Sequence, residues 1–170
     1  VKNKYLWVGL IAGAVLVLDQ VTKYLVEKHV RMYETITVIP GFFNLTHLRN
    51  KGAAFSLLAG APAVFRSVFF TTITLIAVAV IIVLIRKTHE RFLVVSFSLI
   101  AGGAVGNVID RFRYGAVMDF INLYIWEKFS FLNPWPTFNI ADSAISIGVA
   151  LLAIDMLFGK SNKSQAPNHK

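Results

Sequence analysis

Residues 66–111 read R-SVFFTTITLIAVAVIIVLI-RKTHER-FLVVSFSLIAGGAVGNVI-DR. Two uncharged runs, Ser67 to Ile85 and Phe92 to Ile109, flank a short basic turn that holds Arg86, Lys87 and Arg91. Each run meets the length of about 18 apolar residues needed to cross a hydrocarbon core as a helix. In lipid every backbone polar group must be satisfied within the segment, so the runs read as a pair of antiparallel spanning helices. Outward from this pair lie two less simple runs. Tyr5 to Leu18 is uncharged and then meets Asp19, Gln20, Thr22 and Lys23, while Ser143 to Ile154 is preceded by Asp142 and followed by Asp155.

Composition agrees with a bilayer environment. Of 170 residues, 56% are hydrophobic and 15% charged, with mean hydropathy +0.63. A soluble domain carries about 25% charged residues, and the deficit is what lipid-facing surface requires. The net charge of +8 sits in short clusters beside apolar runs, among them Lys2 with Lys4 and Lys160 with Lys163. Such clusters mark flanks facing anionic headgroups and a cytoplasm, not a nucleic-acid stripe. The absence of cysteine excludes a thiol nucleophile, a disulfide framework and cysteine-based metal sites. Lys2 and Lys4 ahead of an apolar run could open a removed signal peptide, but no small-residue cleavage site follows Leu18, so a retained span is expected.

The expectation is therefore an all-α membrane protein with four transmembrane helices, at residues 5–26, 65–85, 92–111 and 140–158. Residues 1–160 form one integral membrane domain, and 161–170 a polar, disordered cytoplasmic tail. Cation density on the short flanks puts both termini in the cytoplasm. In the first extracytoplasmic loop, Thr35 to Leu48 is β-branched and aromatic around Pro40-Gly41, which predicts a small β hairpin. The second outer loop holds Tyr124, Trp126, Phe129, Phe131, Trp135 and Phe138, an interfacial aromatic belt.

This topology gathers the polar residues at one face. Asp19 ends span one, Asn107, Asp110 and Arg111 end span three, Asn139 and Asp142 begin span four, and Asp119 lies in the loop outside span three. Asp155 is the exception, about 20 Å further along span four at 1.5 Å per residue, where a structural or snorkelling role is expected. Ionisable groups beside hydrocarbon are costly and mark functional sites. Two carboxylates in one pocket cannot both ionise easily, so one holds a proton while the other acts as a base, the division of labour that activates water against an amide. The histidines are scattered, no Gly-x-Ser-x-Gly elbow occurs, and Lys23 has no serine partner for a Ser–Lys dyad. A small proton- or ion-coupled transporter is the alternative, but it predicts polar residues near the midplane and an inverted repeat.

Five segments, in order, carry a more specific signal: Asp19-Gln-Val-Thr-Lys23, Asn50-Lys-Gly-Ala-Ala-Phe55, Gly102-Gly-Ala-Val-Gly-Asn-Val-Ile-Asp-Arg111, Gly115-Ala-Val-Met-Asp-Phe120 and Phe138-Asn-Ile-Ala-Asp-Ser143. At these segments the sequence resembles the lipoprotein signal peptidase (signal peptidase II) family. The resemblance implies an aspartyl endopeptidase of the bacterial inner membrane that removes signal peptides from prolipoproteins, cutting before a diacylglyceryl-modified cysteine. It implies Asp119 and Asp142 as the catalytic pair, with Asp19, Asn50, Asn107, Asp110, Arg111 and Asn139 as the polar shell. It also implies no metal or organic cofactor, and prolipoproteins and membrane lipids as partners.

Physical roles follow for the shell. Asn50 and Arg111 can donate to a substrate carbonyl or an oxyanion, and Asn107 and Asn139 can support the site or cap helix ends. Asp110 reads equally as an ion pair fixing Arg111, and Asp19 with Lys23 as an i,i+4 pair. Gly102, Gly103 and Gly106 offer a flat face for close helix approach.

Overall fold

The computed structural model describes residues 3–52, 61–124 and 135–159. Its helices are α1 (Lys4–His29), α2 (Ala63–Lys87), α3 (Arg91–Tyr114) and α4 (Ile140–Ile154), the last continued by a π-helical turn, Asp155–Gly159. All four helical segments are long and apolar enough to cross a membrane. They overrun the expected boundaries by up to three residues at the ends of α1 and α3, where Lys28, His29 and Arg113 extend the helix past its apolar run. Cations in the last turn oppose the negative end of the helix dipole and can reach headgroups along their aliphatic stems.

The third helix is the centre of the bundle. It packs against α1, α2 and α4, and 56% of its most apolar window is buried, against 6–17% for the other three. The expected flat glycine face explains this. A Cβ on Gly102 would meet the backbone of Ala12, one on Gly103 the carbonyl of Ala141, and one on Gly106 the carboxylate of Asp19. Lipid offers little hydrophobic drive for helix association, so close backbone approach through small residues carries the packing. Where α2 gives way to α3, Ile81 and Ile85 of α2 close against Phe97 of α3. Lys4, expected only to face headgroups, is instead buried and donates to the carbonyls of Ile85, Arg86 and Thr88, over 3.1, 2.8 and 3.0 Å. It thereby satisfies carbonyls that the end of α2 leaves without helical partners.

Outside the spans the chain forms a three-stranded antiparallel sheet of order β1 (Thr35–Ile39), β2 (Phe43–Asn50), β3 (Val117–Leu123). The hairpin between β1 and β2 turns at Pro40-Gly41 as expected, with Gly41 at φ 72°. The third strand was not expected: its segment, with Asp119 inside it, reads as loop because a carboxylate interrupts the apolar run. Gly115 ends α3 in the left-handed conformation, φ 69°, and turns the chain straight into β3. The sheet rests on the C-terminal end of α1, where Met118 and Phe120 bury against Val26 and Val30. Trp126, Phe129 and Phe131 of the aromatic loop, and the tail 161–170, lie outside the described residues.

Candidate active site

Strand register delivers the first carboxylate. Asn50 pairs with Val117 and Leu48 with Asp119, so Asn50 and Asp119 are diagonal neighbours on one face. Asn50 Nδ2 donates to Asp119 Oδ2 over 2.9 Å, and Asn50 Oδ1 takes the Gly52 N–H at the same distance. Asn139 Nδ2 donates to the other oxygen of Asp119, Oδ1, at 2.9 Å. The carboxyl of Asp119 is pushed up to about 7, chiefly by burial. The Asn50 bond opposes the rise, neighbouring Asp142 adds to it, and the Asn139 bond and Lys23 oppose it.

A helix start delivers the second. Asn139 is the N-cap of α4 and accepts the Asp142 N–H at 2.9 Å, while Asp142 Oδ2 accepts the Asn139 N–H at 3.3 Å, a complete capping box. Asp142 Oδ1 also accepts from Asn107 Nδ2 at 2.7 Å. One residue, Asn139, thus touches both carboxylates. Its side-chain oxygen caps the helix while its side-chain nitrogen bonds Asp119.

Asp119 and Asp142 line a single cavity of about 490 Å³, together with Asn50, Asn107 and Arg111. Its other walls are largely apolar: Phe70, Val117, Trp135 and Phe138. Gly52, at φ 86°, has no room for a Cβ beside the Phe70 ring. This mixture, an apolar chamber with a few convergent polar groups, is how a site excludes bulk water around a reacting bond. Among the described residues, no His, Cys, Asp and Glu cluster is arranged to hold a metal ion.

The remaining expected residues sit one layer behind. Lys23 Nζ lies 2.8 Å from both Asp19 Oδ2 and Asp110 Oδ2, and 3.2 Å from Asn107 Oδ1. Asp19 Oδ1 accepts the Ala141 N–H at 3.0 Å, tying α1 to the first turn of α4. Asp19 does not line the cavity. Asp110 does not bond its neighbour Arg111 in the way the sequence allowed: its oxygens take Lys23, the Met118 N–H at 3.0 Å and Gln20 Nε2 at 3.2 Å. Adjacent helical residues point about 100° apart, so Asp110 turns to α1 while Arg111 turns to the cavity.

Gln20 and the three-way role of Lys23 were missed. The i,i+4 spacing exposes the Asp19–Lys23 pair, but nothing local reveals that α3 adds Asp110 and Asn107 to the same ammonium. Asp155 caps the far end of α4 and takes no part in this cluster. The polar groups gather at the end of the bundle that carries the sheet and not at its middle.

The chain's relatives agree. The family model described as Signal peptidase (SPase) II matches residues 11–158. A lipoprotein signal peptidase of Syntrophus aciditrophicus is 48% identical over 155 residues, 90% of this chain and 93% of the relative. One of Geobacter metallireducens is 45% identical over 166 residues, 96% and 98% of the two chains. Two solved bacterial membrane enzymes, determined by the in meso method, superpose with TM-scores of 0.77 and 0.81 at 39% identity, covering 89% and 94% of this chain and 92% and 93% of theirs. With a family match along nearly its whole length and a common fold, this chain belongs to the signal peptidase II family.

Proposed function

We propose that the protein is an aspartyl endopeptidase that removes signal peptides from prolipoproteins, cutting before a diacylglyceryl-modified cysteine at the outer face of the bacterial inner membrane. Both termini are cytoplasmic in this reading, supported by the basic flanks of the short inner segments. The observation that carries the chemistry is the position of Asn139, which donates from its side chain to Asp119 and from its backbone N–H to Asp142, the two carboxylates that line one cavity. Family membership leaves the transporter reading without support.

The resting dyad shares one proton, which in this reading sits on Asp119, with Asp142 as the base. Asp142 takes a proton from water as the oxygen attacks the scissile carbonyl, while Asp119 gives its proton to the carbonyl oxygen. Arg111, at the same cavity, stabilises charge developing on that oxygen. The C–N bond then breaks: the cysteine amine leaves with a proton from Asp142, a hydroxyl of the tetrahedral intermediate returns its proton to Asp119, and the new carboxyl stays with the signal segment. Asn50, Asn107 and Asn139 hold the two carboxylates, Lys23 holds Asn107, and Asp19 and Asp110 accept from the backbone at the starts of α4 and β3. The apolar walls accept the lipid-bearing segment.

The test is cleavage of a diacylglyceryl-modified peptide in detergent by wild type, Asp119→Asn and Asp142→Asn, with melting curves for each. Cleavage before the lipidated cysteine by wild type, and none by either folded variant, is expected. Normal cleavage by a folded variant would sink the dyad.

A further inference from the structure

A second cavity opens on the far side of Asp119. It has a volume of about 340 Å³ and is bounded by Tyr33, Leu48, Arg49, Asn50, Asp119, Pro136 and Thr137. Four of these residues, Asn50, Asp119, Pro136 and Thr137, also bound the main cavity. Asp119 therefore stands in the partition between two chambers. The main chamber draws Phe70, Asn107, Arg111 and Asp142 from the spanning helices, whereas every wall of the second comes from the sheet and the segments outside the spans.

We propose that the second chamber is the subsite for the polypeptide downstream of the cleaved bond, and that it favours acidic side chains there. This rests on the peptidase reading above. An extended chain advances about 3.3 Å per residue, so a bond placed at Asp119 needs room on both sides of it. The apolar signal half belongs at the level of the helices. The downstream half must leave toward water, and the outer chamber is the one continuous with the site on that side.

Charge gives the chamber a preference. Arg49 is held in its wall by Glu27, 2.6 Å away, and by the Tyr114 ring, 3.7 Å from the guanidinium carbon. Glu27 takes one terminal nitrogen, and the other is a buried donor with no hydrogen-bond partner. Close in sequence to its wall residues lie the exposed Arg31 and Lys51, against Glu34. A positive surface of this kind draws acidic peptides and disfavours basic ones. Tyr33, also in the wall, is 74% exposed at φ 65°, a left-handed backbone that a bulky residue rarely adopts. The bond from its N–H to the His47 carbonyl, 2.9 Å, fixes it there. Such strain held in place at a cavity mouth is characteristic of ligand clamps.

The experiment compares two diacylglyceryl-modified peptides that differ only in the second residue after the cysteine, Asp or Lys, with wild type, Arg49→Gln, Arg49→Lys and Tyr33→Ala. Wild type is expected to cleave the Asp peptide with kcat/KM about fivefold higher, an effect that shrinks with salt, as for a partly exposed charge. Arg49→Gln should reduce that ratio and Arg49→Lys preserve it, while Tyr33→Ala should raise KM for both peptides and leave kcat unchanged. Equal cleavage of the two peptides by wild type, or a ratio unchanged in folded Arg49→Gln, overturns the subsite while leaving the peptidase reading intact. Cleavage of neither peptide by wild type overturns both.

Discussion

Asn139 Nδ2 reaches Asp119 Oδ1 over 2.9 Å from the residue that also caps α4. The helix start and the dyad are thus built on one side chain, and the two duties are separable by substitution. Asn139→Ser keeps an oxygen for the cap and removes the nitrogen that meets Asp119. Asn139→Ala removes both, and losing a cap costs about 1 kcal/mol. Asn139→Ser should therefore melt near wild type yet cleave at least about tenfold more slowly, as for the loss of one positioned hydrogen bond. Asn139→Ala should lose stability as well. A Ser variant with wild-type kcat would mean that the contact to Asp119 is incidental.

The raised pKa of Asp119 has a sign that can be checked. Its folded value is about 7, against about 3.9 for an unfolded aspartate. Between those values the unfolded chain has released the proton that the folded chain still binds, so rising pH favours unfolding. The melting temperature should fall between pH 5 and pH 8, and Asp119→Asn should flatten that slope. Cleavage should decline on the alkaline side near pH 7 as the acid is lost. A wild-type melting temperature that rises over this range would contradict burial as the dominant cause.

The spans and the motif residues were legible because both are written locally. Ser67 to Ile85 needs no partner to be read as a spanning helix, and Gly102, Gly103 and Gly106 announce a packing face by their size. What was not legible depends on distant pairing. Asp119 lies on a strand only because Val117–Leu123 finds β2, which belongs to a loop two helices earlier. Lys4 reads as a headgroup anchor until the end of α2 arrives beside it. Asp110 beside Arg111 invites an ion pair, whereas helical geometry sends the two side chains to different neighbours.

Lys23 is the point where that distant pairing carries most electrostatic weight. Its ammonium lies between Asp19 and Asp110, all three almost fully buried. Removing one partner of a buried ionic cluster leaves uncompensated charge and typically costs about 3–5 kcal/mol. Lys23→Met should therefore lower the melting temperature strongly. Lys23→Met with Asp110→Asn, which restores charge balance, should recover part of the loss. If the double variant is no more stable than the single, the cluster is not held by charge compensation.

Glycine contacts on α3 predict a graded series. Gly103 faces the Ala141 carbonyl and Ile145 Cγ1, the latter 2.9 Å from where a Cβ would sit, whereas Gly9 and Gly13 of α1 have nothing within 4 Å. Gly103→Ala must push α4 outward, and α4 carries Asp142 at its first turn. A shift of about 1 Å at a reacting group can cost on the order of a hundredfold in rate, while overpacking costs about 1–3 kcal/mol in stability. Gly103→Ala should thus lose activity more steeply than stability. Gly9→Ala should match wild type in cleavage and melt no lower, since alanine has about 1 kcal/mol better helix propensity. Equal behaviour of the two variants would show that the α3–α4 contact does not set the position of the dyad.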